Sequence, residues 1–239
     1  MSLRGALVTG GTRGIGFATA LELARRDFHV VIVGSSEESI QSAKSKALSS
    51  GVTLDGHACD ITDPAAVTTL RDQLAGVSEI EVLVNSAGVM SERTAKTLRA
   101  TAVEWRRVLA INLDAPFYFM NTFVPAMVER REGRVINVTA CLGRFSGPGN
   151  TGGLAPYRIS KSGLNALTKN LAHELGTGSR GVFVDAVCPG HCRTDMGGPD
   201  APRSAEEGAD TIVWLATRPK EEAAKQTGLL WEDRQVVPW

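Results

Sequence analysis

Short apolar, β-branched runs alternate with longer stretches of helical spacing from one end of the chain to the other. The runs Ala6 to Thr9, His29 to Val33, Thr53 to Cys59, Glu81 to Asn85, Arg134 to Thr139 and Val182 to Val187 predict strands, being short, rich in Val and Ile, and bounded by Gly, Pro or polar residues. Between them, spacings such as Ala18, Leu21, Leu23 and Ala24 predict amphipathic or buried helices. Alternation of this kind specifies an α/β, doubly wound parallel sheet of about seven strands, with helices on both faces and right-handed crossovers, as a single domain over 1–239. Ligands of such sheets bind at the carboxyl ends of the strands.

Several helix starts are written in the sequence. Ser36 or Ser35 ahead of Glu37 and Glu38, Asp63 ahead of Pro64, and Ser204 three residues before Glu207 are N-cap patterns. The one Gly/Pro-rich stretch, Gly143 to Pro156, lies between a predicted strand and a long helix, where an active-site loop belongs.

Charge narrows the function classes. Lys plus Arg and Asp plus Glu balance at 26 each, so no overall field draws nucleic acid or an acidic membrane face, and a small-molecule substrate is expected. The opening Met1-Ser2-Leu3-Arg4-Gly5 carries no leader pattern and no apolar run approaches a membrane span, which predicts a soluble, cytoplasmic protein. Cys59, Cys141, Cys188 and Cys192 are expected to be reduced thiols. Cys188 and Cys192 flank His191, but the spacing is not that of a zinc ribbon and a fourth ligand is missing, so no metal is expected.

After the first strand comes Thr9-Gly10-Gly11-Thr12-Arg13-Gly14-Ile15-Gly16, followed at once by a helix pattern. Glycines there let the chain turn sharply and bring backbone N–H groups against a pyrophosphate, while the helix N-terminus supplies partial positive charge. At the end of the second strand, where a carboxylate would grip a ribose 2′-hydroxyl, stand Gly34, Ser35 and Ser36. Two hydroxyls and the Arg13 guanidinium suit a 2′-phosphate, so NADP(H) is the expected cofactor.

From the glycine loop to the C-terminus the chain resembles the short-chain dehydrogenase/reductase family, with its Rossmann-type fold. Thr9 to Gly16 resembles the family's T-G-x-x-x-G-x-G. Cys59-Asp60-Ile61 resembles its adenine-contacting segment, and Asn85-Ser86-Ala87-Gly88 its N-N-A-G. Asn112 matches the helix asparagine that supports a proton relay by positioning a water. Pro189-Gly190 with Thr194 matches the segment that holds the nicotinamide carboxamide. The runs Tyr157 to Lys161 and Arg193 to Pro199, with the ending near Trp231 to Trp239, are most similar to the carbonyl-reductase-like branch. The resemblance also implies a homodimer or homotetramer built on helices around Val103 to Met127 and Pro156 to Leu175.

Tyr157 and Lys161 carry a chemical reading of their own. Residues four apart share one helix face, so the Lys161 ammonium is expected to pull the phenol pKa down and make Tyr157 a general acid, with Lys161 also holding the nicotinamide ribose.

One position departs from the family. Its usual serine after the fifth strand, which hydrogen-bonds the substrate carbonyl, aligns with Ala140. Losing such a donor costs about 10²–10³ in rate. Thr139 or Ser146 can supply a replacement hydroxyl; alternatively the substrate is an imine or activated carbonyl that needs none, or the chain binds the dinucleotide without turnover. The loop between Ala140 and Tyr157, with Gly147, Gly149, Gly152 and Gly153, is expected to border the substrate pocket together with Leu142, His191, Cys192 and Met196. Phe145 is either a pocket residue or a local core plug. The expectation is an NADPH-dependent reductase of a small carbonyl or imine compound, against a dinucleotide-binding regulatory or scaffold protein.

Overall fold

Residue alternation within the strands sets the two layers of the molecule. Ala6 and Val8 of β1 (Arg4–Thr9), Val30 and Ile32 of β2 (Phe28–Gly34), Val82 and Val84 of β4 (Ile80–Asn85) and Ile136 and Val138 of β5 (Gly133–Val138) face one side. They bury against Ala20 and Leu23 of α1 (Gly14–Ala24), Ile40, Ala43 and Ala47 of α2 (Glu37–Ser49), and Ile212, Leu215 and Ala216 of α7 (Ala205–Thr217). The intervening Leu7, Val31, Leu83 and Val135 face the other side, against Val67 and Leu70 of α3 (Pro64–Leu74), Phe119, Phe123 and Met127 of α5 (Ala115–Arg130), and Ala172 of α6 (Ala155–Glu174). A sheet covered on both faces needs apolar residues at successive positions, which is why these strands read as continuous runs.

The computed structural model describes residues 4–76, 79–147 and 151–239; Met1, Ser2, Leu3 and Gly149 lie outside them. With β3 (Asp55–Ala58), β6 (Val182–Val187), β7 (Leu230–Glu232) and β8 (Gln235–Val237), the sheet has eight strands in the order β3-β2-β1-β4-β5-β6-β7-β8. All pairs are parallel except β7 with β8. Against about seven strands expected and six runs named from the sequence, β7 and β8 are the two without a predicted run, because three residues are too few to display an alternation. The expected strand Thr53 to Cys59 contracts to four residues at the sheet edge, and β2 gains Phe28 and Gly34.

The predicted caps are present. Ser36, rather than Ser35, caps α2 by accepting from Ser39 N–H; Asp63 caps α3 by accepting from Ala65 N–H; Ser204 and Glu207 form a capping box on α7. Strand order reverses between β1 and β4, opening a crevice at their carboxyl ends, and the candidate segments after β1, β2, β3, β4, β5 and β6 leave the sheet at that edge. Among the described residues no helix is long and apolar enough to cross a membrane.

Candidate active site

Backbone proximity dictates the glycine turn. A Cβ on Gly10, whose φ is +65°, would come 2.8 Å from Ala87 Cα, and one on Gly16 would come 2.4 Å from Gly10 O. The turn after β1 therefore lies directly against the turn after β4, fastened by Thr9 Oγ1, which accepts from Ser86 and Ala87 N–H at 3.1 Å. Ile15 follows within α1, packed against the core. Arg13 occupies the N-cap of α1 in extended conformation and its side chain does not cap the helix, which leaves the first N–H groups of α1 available to an anion.

At the end of β2, Gly34 is pressed on Thr12, whose Cγ2 would be 2.6 Å from an added Cβ. Ser35 is exposed beside it. The Arg13 guanidinium, expected to stand free for a 2′-phosphate, is instead ion-paired to Asp195 at 2.8 Å. Both partners are more than 70% exposed, so the pair holds Arg13 by no more than about 1 kcal/mol. Asp60 is exposed and accepts from the N–H and hydroxyl of Thr62, bonds that hold its carboxyl below the ordinary range; Ile61 packs into the core beneath.

The Asn85 side chain is engaged within the sheet. It is buried and donates to Asn137 Oδ1 at 2.8 Å, and Asn137 donates to Thr168 on α6, so Asn85 helps bind β4, β5 and α6 together. Ala87 and Gly88 stay at the cleft. A Cβ on Gly88 would sit 3.4 Å from Asn112 Oδ1 and 3.5 Å from Lys161 Nζ, which places these three residues side by side. Asn112 lies in a π-helical turn, Ala110–Asp114, between α4 (Ala102–Leu109) and α5. Its side chain accepts from Val89 N–H, donates to Val89 O, and donates to Ser160 Oγ at 3.0 Å. The side chain thus clamps the loop after β4 to α6.

Pro156 sits in the first turn of α6, where a missing N–H costs nothing, and Tyr157 and Lys161 follow one turn apart. Both are buried. Lys161 Nζ donates to Val138 O at 2.8 Å and lies 6.0 Å from the centroid of the Tyr157 ring. Shared helix face does not by itself produce the expected depressed phenol. Burial pushes the Tyr157 pKa up, with Cys188 and Cys141 adding to the rise, and burial lowers Lys161 to about 8.

Neither proposed substitute hydroxyl is turned to the site. Thr139 donates its hydroxyl to Val187 O at 3.3 Å, and Ser146 donates to Trp239 O at 3.4 Å. Ala140 is extended and half-buried, with Leu142 in the short 3₁₀ turn Cys141–Gly143 just after it. Phe145 is 79% exposed, which excludes the core plug.

The loop after β6 folds back over the glycine turn. Gly190, at φ +76°, carries the Arg203 side chain against it, and Thr194 Cγ2 lies within 3.0 Å of where a Gly14 Cβ would be. His191 is exposed and its Nε2 contacts Gly197 O at 2.8 Å, while Met196 is 43% exposed. Cys188, His191 and Cys192 diverge: Cys188 turns to Cys141 and Glu232, and Cys192 Sγ donates to Pro189 O.

Sequence reasoning missed two features. Ser160, which donates to Tyr157 O at 2.7 Å while accepting from Asn112, looks like any helix serine. The neighbouring thiols Cys141 and Cys188 were detectable in principle, because each lies within two residues of the end of a predicted strand.

Residues 4–205 match the short chain dehydrogenase family. The chain is 35% identical over 192 residues to the 3-oxoacyl-(acyl-carrier-protein) reductase FabG of Escherichia coli, covering 80% of this chain and 74% of that protein. It is likewise 35% identical over 193 residues to the 3-oxoacyl-(acyl-carrier-protein) reductase of Synechocystis, covering 80% and 75%. Among solved structures, a metagenomic short-chain oxidoreductase in complex with NADP superposes with a TM-score of 0.78 at 31% identity, over 92% of this chain and 94% of the other. A 3-oxoacyl-(acyl-carrier protein) reductase from Brucella melitensis superposes with a TM-score of 0.82 at 27% identity, over 95% and 88%. With the fold, the glycine turn and the sequence match all in agreement, the chain belongs to the short-chain dehydrogenase family of oxidoreductases.

Proposed function

We propose that this chain is an NADPH-dependent reductase of a small carbonyl or imine compound, with Tyr157 as proton donor and Lys161 and Asn112 as its support. The observation that carries this reading is the meeting of Tyr157 and Lys161 with Gly88 and Asn112 at the crevice where the sheet order reverses.

The cradle fits a phosphorylated dinucleotide. Packing demands glycine at positions 10 and 16, the α1 N-terminus lacks a side-chain cap, and β2 ends in Gly34-Ser35-Ser36 with no carboxylate among them. Gly10, Thr12, Gly14, Ile15 and Gly16 would hold the pyrophosphate, and Ser35, Ser36 and Arg13 the 2′-phosphate once Arg13 leaves its exposed pair with Asp195. Asp60 and Ile61 would border the adenine, Ala87 and Gly88 the ribose side, and Pro189, Gly190 and Thr194 the carboxamide. The metagenomic neighbour in complex with NADP supports this choice. NADPH supplies a hydride when bound.

The rest of the chemistry belongs to side chains. Burial keeps the Tyr157 phenol protonated at neutral pH, so it has a proton to give as charge develops on the substrate oxygen or nitrogen. Lys161 spends one of its three donors on Val138 O, its ammonium stabilises the phenolate left behind, and its remaining donors would hold the ribose. Asn112 fixes the loop and Ser160 around this pair.

The hydroxyls of Thr139 and Ser146 are engaged elsewhere, which favours a substrate that makes little demand on an oxyanion donor at position 140. An iminium carbon is such a group, since hydride addition to it develops no oxyanion. Leu142, Phe145, His191 and Met196 would line the pocket mouth. Exposed Val103, Phe117 and Ile159, on the helices expected to form a dimer interface, support a homodimer or homotetramer.

The test is loss of nicotinamide absorbance with NADPH and a panel of aldehydes, diketones, 3-oxoacyl thioesters and cyclic imines. Turnover that falls about 10²–10⁴-fold in Tyr157→Phe, with NADPH affinity kept, is the expected result. Tight NADPH binding without turnover on the whole panel would replace the enzyme by a regulatory dinucleotide-binding protein.

A further inference from the structure

Two thiols at neighbouring strand ends form a cluster that hydride and proton transfer leave unused. Cys141 directly opens the 3₁₀ turn beyond β5, and Cys188 is the first residue past β6. The two strands run parallel with Val138 opposite Val187, and Thr139 N–H continues the register by donating to Val187 O at 2.7 Å. This pairing carries both cysteines to the catalytic edge of the sheet as near neighbours, each thiol within electrostatic reach of the other.

The partners are unequal. Cys141 is half-buried and reachable from solvent, whereas Cys188 is 1% exposed. Around them stand Glu232 of β7, with Oε1 3.7 Å from Cys188 Sγ; Arg144, ion-paired to Glu232; and Tyr157 of α6. Cys59 and Cys192 have different surroundings. Each thiol is pushed up, chiefly by burial, and Cys192 points at the carbonyl oxygen of Pro189.

The geometry points to Cys141 and Cys188 as a peroxide-reactive dithiol in the wall of the catalytic cleft, Cys141 being the attacking sulfur and Cys188 the resolving one. The neighbouring Cys188 thiol, the Leu142 N–H and the Arg144 charge favour the Cys141 thiolate; burial and Glu232 oppose this and are outweighed. A stabilised, accessible thiolate beside a second thiol is the arrangement that oxidises in two clean steps. In the first, the Cys141 thiolate attacks one oxygen of hydrogen peroxide, the O–O bond breaks, and hydroxide leaves a sulfenic acid on Cys141. In the second, the Cys188 sulfur attacks the Cys141 sulfur, the S–O bond breaks, and the departing hydroxide takes the Cys188 proton. Hydrogen peroxide is reduced to two waters and the two thiols become one disulfide. Side chains leaving two paired strand ends start close together, and the disulfide requires the sulfurs to approach to roughly 2.05 Å.

The proposal is independent of substrate and cofactor, so its test reads mass and thiols rather than turnover. Fully reduced protein is exposed to a small excess of hydrogen peroxide, denatured, alkylated and digested. The expected product is about 2 Da lighter than the reduced chain, has lost two alkylatable thiols, yields a Cys141–Cys188 linked peptide, and reverts with dithiothreitol. Cys188→Ser should stop at a sulfenic acid on Cys141 that dimedone traps, and Cys141→Ser should leave the remaining thiols reduced under the same exposure. Oxidation of Cys59 or Cys192 as fast as Cys141 overturns the proposal. So does conversion of Cys141 to a sulfinic acid while Cys188 stays free in the unmodified chain. The linked peptide comes from that unmodified chain, so the result does not depend on either variant folding.

Discussion

The two walls of the cleft are built by different means. On the β1 side the turn is fixed by backbone against backbone: Gly10 lies on Ala87, and Gly16 on the Gly10 carbonyl. On the β5–β6 side the wall is made of side chains whose state depends on burial and on one another: Tyr157, Lys161, Cys141 and Cys188. A wall of the first kind tolerates little substitution and declares itself in the sequence as glycine. A wall of the second kind is set by side chains rather than by backbone contact, so it can change its chemistry by substitution while the glycine turn stays in place.

The sharpest way to break this contrast is Ala140→Ser. If the catalytic wall lacks only an oxyanion donor, ketone turnover should rise by about 10²–10³ while NADPH affinity stays put. Steady-state rates on ketones and on cyclic imines check it. A rise on ketones alone supports the imine reading, and equal rises on both count against it.

Lys161→Met comes next and isolates the cost of the buried ammonium. In the folded chain Lys161 releases its proton near pH 8, against 10.5 for an ordinary lysine, so between those values the unfolded chain binds more protons and wild-type stability rises with pH. Below pH 8 the full cost is present. The variant should therefore be more stable by roughly 3 kcal/mol near neutral pH, with the gap closing towards pH 10.5. Urea unfolding at neutral pH and at pH 10 measures the gap, and a gap independent of pH would remove the claim.

Gly10→Ala probes the backbone wall and should give the smallest of these effects. A non-glycine residue at φ +65° costs about 1–3 kcal/mol, and here its Cβ also meets Ala87. NADPH affinity should fall about 10–100-fold in a fluorescence titration while the chain remains folded.

The sequence revealed most of the sheet, because strands buried on both faces must be continuously apolar, as Leu7-Val8 and Val31-Ile32 are. It also placed the helix caps at Ser36, Asp63 and Ser204, where one side chain satisfies one local N–H. It did not reveal β7 and β8, whose three residues each are held by neighbours: Asp185 accepts from Leu229 N–H and from Trp231 Nε1 and is itself paired with buried Arg218. Arg13 was read from position alone, and its pairing with Asp195 joins residues 182 apart in the chain.

What the sequence determined by itself is everything that local rules enforce: alternation of strand and helix, the glycine turn, the caps, a Gly34-Ser35-Ser36 strand end without a carboxylate, and a tyrosine one helical turn from a lysine. Only the tertiary structure decided that the Asn85 side chain bonds Asn137, that Asn112 clamps Val89 and Ser160, and that Cys141 and Cys188 stand at neighbouring strand ends. It likewise decided that burial, rather than the Lys161 charge, governs Tyr157. The reason is physical: backbone geometry acts within a few residues, whereas desolvation and side-chain hydrogen bonds are set by whatever the fold brings from elsewhere in the chain.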